Sequence, residues 1–343
     1  MTVRAFITGL AGTDISADER ALLRDAAPWG LILFKRNIES PDQVRRLTGE
    51  FRAIVGRDAP VLVDQEGGRV QRLGPPHWPV YPPGAAFGRL YRSDKAQAMA
   101  AASLGAQLMA ADMHAIGIDV DCLPVADVPV AVSDPVIGDR AYGDTPAQVA
   151  ALAGAAADGL LKGGVLPVLK HLPGHGRATA DSHLTLPVVE TDRQTLEASD
   201  FEAFRPLVAL PLGMTAHVVF SAIDPVAPAT TSAIMVKDVI RGSIGFKGLL
   251  MSDDITMQAL SGSLAARSRA AIAAGCDIVL YCRGDVAEMN EVADASPVLS
   301  GEAARRAAAA LALRMAPEPI DIAEARNRFS SLMALASNGS AVA

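Results

Sequence analysis

The sequence predicts an α/β fold, a (β/α)8 TIM-type barrel with extra helices at its C-terminal end. Three observations predict it. Eight short apolar runs rich in β-branched residues alternate with helical stretches along the chain. Several runs are apolar on consecutive residues, as strands buried on both faces of a parallel sheet must be. Polar and ionisable residues follow one run after another, which suggests a shared polar mouth at one end of a closed sheet.

The runs read as strands are 4–9, 30–35, 60–64, 117–122, 165–170, 213–218, 248–252 and 276–281. Gly30-Leu31-Ile32-Leu33-Phe34 and Gly248-Leu249-Leu250-Met251 show the continuous apolar pattern. Helix starts between them are marked. Ser40-Pro41-Asp42-Gln43 and Thr145-Pro146-Ala147-Gln148 each place a capping residue before a proline at the first helical position, with Gln three residues after the cap. Ser16 and Glu19 form a third capping box. Val44, Leu47, Phe51 and Val55 repeat at helical spacing. The proline-dense segment Gly74–Gly84 fits neither a helix nor a central strand, so it is expected as a stiff surface loop. Residues 301–315 and 322–335 read as two further helices, and 336–343 as a flexible tail. No GxGxxG follows the first strand, which disfavours a dinucleotide-binding sheet. No shift in composition demands a second domain.

Composition narrows the function. The 343 residues are 50% hydrophobic and 20% charged, enough to bury a large core. A formal net charge of -7 argues against a nucleic-acid partner, which would select a basic surface. No stretch approaches 18 uninterrupted apolar residues, so no membrane span is expected. The N-terminus lacks the basic start and long apolar core of a signal peptide, which points to the cytoplasm. Cys122, Cys276 and Cys282 match no zinc spacing and read as free thiols.

The chemistry-bearing residues cluster after the third, fifth, sixth and seventh runs. The stretch Lys170-His171-Leu172-Pro173-Gly174-His175-Gly176, with Asp181-Ser182-His183 beyond it, holds three of the six histidines. Its glycines and prolines make it a loop. In an extended backbone Asp181 and His183 face the same side, where the carboxylate would fix one imidazole nitrogen and leave the other for substrate. Two bland alternatives stay open: loop residues capping backbone groups, or a zinc site from His171, His175, Asp181 and His183. Asp253 and Asp254 close the seventh run, where strand alternation sends one inward and the other away. A carboxylate there can attack an anomeric carbon, bind a sugar hydroxyl, or merely cap a helix. Asp64, Arg72, Arg140, Lys170 and His217 could contact substrate or form ordinary ion pairs and strand-end hydrogen bonds.

The fifth-run stretch, with four residues between Gly176 and Asp181, resembles the signature of bacterial β-N-acetylglucosaminidases of glycoside hydrolase family 3, KH(F/I)PGHG followed by D(S/T)H. Val63–Arg72, Gly138-Asp139-Arg140 and Ser252-Asp253-Asp254 are similar to further motifs of that family and stand in the family's order, over roughly residues 5 to 285. Leu172 departs from the usual Phe or Ile but stays apolar. The resemblance implies Asp253 as nucleophile, His183 as acid/base and Asp181 as its orienting partner. It implies sugar contacts from Asp64, Arg72, Arg140, Lys170 and His171. It further implies a retaining hydrolase that removes N-acetylglucosamine from 1,6-anhydro-muropeptides, with a small carbohydrate or muropeptide as partner, acting as a monomer without metal or cofactor. A phosphorylase releasing sugar 1-phosphate, a zinc hydrolase and an inactive sugar-binding protein are the rivals.

Overall fold

A computed structural model describes residues 2–338. Eight parallel strands close a barrel: β1 (Arg4–Thr8), β2 (Pro28–Leu33), β3 (Val61–Val63), β4 (Val120–Asp121), β5 (Leu166–Leu172), β6 (Leu212–Thr215), β7 (Leu249–Asp254) and β8 (Ile278–Leu280). Each pairs with its neighbours in sequence, and β8 returns to β1 through Phe6 opposite Val279. All eight expected runs form barrel strands.

The apolar runs work because both faces of each strand are covered. On β2, Ile32 joins the barrel interior with Ile7, Leu62, Val168, Met214 and Met251. Its neighbours Leu31 and Leu33 face outward into the helical layer with Phe51, Leu152 and Val239. β3 repeats the pattern, with Leu62 inside and Val61 and Val63 outside. A strand with no solvent face has no use for alternating polarity.

The helical layer is α1 (Ala17–Ala26), α2 (Pro41–Val55), α3 (Gly84–Ser93), α4 (Lys95–His114), α5 (Pro146–Lys162), α6 (Arg193–Ala198), a π-type segment (Met235–Ile244), α7 (Leu264–Ala274) and α8 (Val286–Ala295). After these come α9 (Gly301–Leu311) and α10 (Ile322–Asn338). Among the described residues no helix is long and apolar enough to cross a membrane. Ser16 and Glu19 make the reciprocal capping box on α1, and Ser40 caps α2 through the Gln43 amide. Thr145 stands at the start of α5 without a side-chain cap bond. Gln148 reaches away instead, donating to the carbonyls of Tyr142 and Gly88. The proline-dense loop is less superficial than expected, because Trp78 and Tyr81 are buried and hold it to the core. Helix α9 stops at Leu311, short of the expected 315. Residues 339–343, most of the expected tail, lie outside the described residues.

Carboxylates at the two barrel ends serve different purposes. At the N-terminal end, Asp119 accepts the Val61 amide at 2.7 Å and the Arg314 guanidinium at 2.7 Å. Asp277 similarly accepts the Leu250 amide at 2.9 Å and pairs with Arg241 and Arg306. These tie helices to strand starts. The acids at the other end face a cavity.

Candidate active site

The cavity opens at the C-terminal ends of the strands and has a volume of about 500 Å³. That falls within the range of small-molecule sites. The eight residues that the family resemblance assigns to the site line it, namely Asp64, Arg72, Arg140, Lys170, His171, Asp181, His183 and Asp253, while His217 does not.

One wall is an ion network. Lys170 lies within the fully buried strand β5, and its Nζ donates to Asp64 Oδ1 at 3.1 Å and lies 2.6 Å from Glu66 Oε1. Arg72 donates to the other Asp64 oxygen at 3.0 Å. Arg140 grips Glu66 through two bonds of 2.8 Å each. A buried ammonium needs such anions to stay charged. Burial pushes the Asp64 and Glu66 carboxyls up, but the adjacent cations outweigh it. Asp64 ends well below the usual range, and Glu66 falls to about 2. Glu66, quoted in the sequence only as part of a motif, thus proves to be the counter-ion that places Arg140.

Asp127 was not anticipated. Beyond β4 the chain keeps running beside β5, with Val125 bridging Lys170 and the Ala126 amide donating to the Lys170 carbonyl at 2.7 Å. Asp127 therefore lands, fully buried, next to His171. Its Oδ2 is 2.6 Å from His171 Nδ1, and its Oδ1 accepts the His175 amide at 2.6 Å. Burial raises the Asp127 carboxyl and His171 more than reverses this, so it stays an anion. His171 accordingly donates from Nδ1 and turns Nε2 to the cavity. The available signal was an acid inside the otherwise apolar stretch Leu123–Val128.

The tip of β7 separates its two acids. Asp254 accepts from the Thr256 amide at 3.0 Å and hydroxyl at 2.7 Å, so it holds the turn. Asp253 Oδ1 accepts only the Asp254 amide, at 2.8 Å, and the carboxylate faces the cavity. Strand alternation predicts opposite faces, yet both acids line the cavity. The pairing of β7 with β8 shifts register between Met251 and Asp254, and such an irregularity re-aims side chains. Burial works to raise the Asp253 carboxyl, but His217, His171, the Asp254 amide and His183 together leave it below its usual value. His217 itself is a satisfied strand-end histidine, bonded to Thr230 Oγ1 at 2.7 Å and the Asp254 carbonyl at 3.0 Å.

Asp181 and His183 do pair: Nδ1 of His183 is 2.7 Å from Asp181 Oδ1. The backbone is not extended. Asp181 Oδ1 also accepts the His183 amide at 2.9 Å, and the Leu184 and Thr185 amides donate to its carbonyl. This turn is the local arrangement that Asp side chains favour. The His183 side chain is 62% exposed, and its Nε2 makes no hydrogen bond among the described residues. His171 and His175 are bonded to Asp127 and Ser182, and no group of three potential metal ligands gathers among the described residues.

A barrel with this acid-and-imidazole rim matches the model of the glycosyl hydrolase family 3 N terminal domain over residues 2–314. The chain belongs to glycosyl hydrolase family 3. As a family 3 member it is a glycoside hydrolase. Curated relatives agree: a beta-hexosaminidase of Alkalilimnicola ehrlichii is 43% identical over 82% of this chain and 81% of its own. One of Methylococcus capsulatus is 42% identical over 80% of this chain and 81% of its own. Among solved structures, native NagZ from Neisseria gonorrhoeae superposes with a TM-score of 0.84 at 32% identity, over 99% of this chain and 98% of that one. NagZ from the same organism in complex with N-trifluoroacetyl-D-glucosamine gives 0.84 at 31% identity over the same shares. In this family 3 chain the cavity is therefore the place to seek sugar chemistry.

Proposed function

We propose that this family 3 enzyme is a retaining β-N-acetylglucosaminidase that removes N-acetylglucosamine from peptidoglycan fragments of the 1,6-anhydro-muropeptide type. The observation that carries the reading is a half-buried carboxylate, Asp253, and an imidazole, His183, paired through Nδ1 with Asp181, lining one cavity, with no hydrogen bond to His183 Nε2 among the described residues. The amino sugar named in the NagZ complex and the hexosaminidase relatives support the substrate.

The chemistry divides into two displacements. In the first, an Asp253 oxygen bonds to the anomeric carbon while the bond to the leaving oxygen breaks. The departing pair takes the proton from His183 Nε2. Asp181, held at His183 Nδ1, stabilises the charged imidazole and keeps its orientation. In the second, neutral His183 Nε2 takes a proton from water as that oxygen bonds to the anomeric carbon and the Asp253 bond breaks. A depressed Asp253 pKa keeps the nucleophile ionised, as attack requires. Asp64 and His171 Nε2 accept from sugar hydroxyls, and Arg72, Arg140 and Lys170 donate to them. The Asp64 and Glu66 pairings hold these donors in place before substrate arrives.

Proton NMR of the reaction with an aryl N-acetyl-β-glucosaminide tests the reading. The first-formed sugar should be the β-anomer, with or without phosphate present. An α-anomer, or sugar 1-phosphate as the main product, contradicts it. Release of free N-acetylglucosamine from an anhydro-muropeptide tests the substrate.

A further inference from the structure

Ser182 lies between the two members of the dyad and points the other way. The His183 side chain is exposed, yet Ser182 is 2% exposed. Its hydroxyl oxygen is 2.9 Å from Nε2 of His175, which is itself buried. His175 is fixed from behind. Its amide donates to Asp127, and its ring meets the His171 ring edge to face, with centroids 5.8 Å apart. Nδ1 of His175 is buried without a hydrogen-bond partner among the described residues. An orphaned buried N–H is rarer than an under-used acceptor, which assigns the proton to Nε2. His175 therefore donates to Ser182 Oγ. Burial and the neighbouring His171 hold its pKa down to about 4, so it donates as a neutral group at neutral pH.

We propose that the His175–Ser182 hydrogen bond is a latch that docks the 181–183 turn and sets the aim of the His183 imidazole. Ser182 and His175 are positioning residues, acting through Asp181 and His183 without touching the reacting atoms. The other contacts of the turn are long backbone bonds, Ala259 N–H to the Ser182 carbonyl at 3.3 Å and Gln258 N–H to the His183 carbonyl at 3.4 Å. Among the described residues, the hydroxyl makes the one short hydrogen bond from the turn to His175, which is in turn tied to Asp127 and His171. This role rests on the reading of His183 as acid/base.

The test compares kcat/KM for 2,4-dinitrophenyl and 4-methoxyphenyl N-acetyl-β-glucosaminides. The first leaving group departs with little protonation, while the second needs the acid. His183→Ala should lose roughly 10²- to 10⁴-fold on the methoxyphenyl substrate, and much less on the dinitrophenyl one. Ser182→Ala should show the same selectivity at roughly 10- to 100-fold, the scale of a misplaced group. Ser182→Thr should restore most of it, and His175→Ala should parallel Ser182→Ala. Equal losses on both substrates, no loss on either, or a Thr variant as impaired as Ala overturns the latch while leaving the acid/base reading intact. His183→Ala without leaving-group selectivity overturns that reading, and the latch with it. Ser182 lies on a turn outside every strand and helix, so its Ala variant keeps the barrel and the comparison stays decisive.

Discussion

Glu66 illustrates how one side chain can be structural and functional at once. Buried between Arg140 and Lys170, it supplies the negative charge that lets two cations line the cavity. Glu66→Gln removes the charge and keeps the shape, leaving two buried cations short of an anion. A loss of about 3 kcal/mol is expected by urea unfolding at neutral pH, the scale of breaking a buried pair. The pH dependence has a definite sign. The carboxyl falls from 4.5 unfolded to about 2 folded. Its contribution is therefore complete above about 4.5 and fades as pH drops towards 2. The gap between wild type and variant should close over that window. A gap that persists unchanged at pH 2 contradicts the pairing.

At the level of elements, the β5 strand and the loop after it carry most of the site, and they need close approach. A Cβ on Gly176 would sit 2.1 Å from the Val128 carbonyl oxygen. Gly176→Ala should therefore push the 174–186 loop off the β4–β5 connection. A fall in kcat/KM of roughly 10- to 100-fold is expected, with a lower Tm; unchanged kinetics contradict the contact. The strands themselves were legible in the sequence, because consecutive apolar residues mark a sheet covered on both sides. Their ends were not. Strand alternation sends Asp253 and Asp254 to opposite faces, but the register shift beside Asp254 brings both to one cavity. The Asp181–His183 pairing was legible from spacing, while the turn that makes it was not, since it depends on Asp181 capping its own backbone. Two contacts are not specified by spacing: Asp127 reaches His171 from a different connection, and the Ser182–His175 bond depends on how the loop after β5 folds back on itself.

Across the whole molecule, chemistry and stability are divided. The family match ends at residue 314, and α10 lies beyond it. Phe329 of α10 packs its ring 6.3 Å from those of both Tyr81 and Phe87. It also covers Gly105 of α4, where a Cβ would meet its ring at 2.7 Å. Phe329→Ala should cost about 1.5 kcal/mol in urea unfolding, given its partial burial, with kcat/KM unaltered. An equal loss of activity contradicts the division. The central claim concerns the C-terminal mouth of the barrel, where the proposed mechanism has the strand-seven carboxylate bond transiently to the sugar. Its most direct test is trapping with a 2-acetamido-5-fluoro glycoside, followed by digestion and mass mapping of the labelled peptide. The account predicts one adduct, on Asp253; an adduct on any other residue contradicts it.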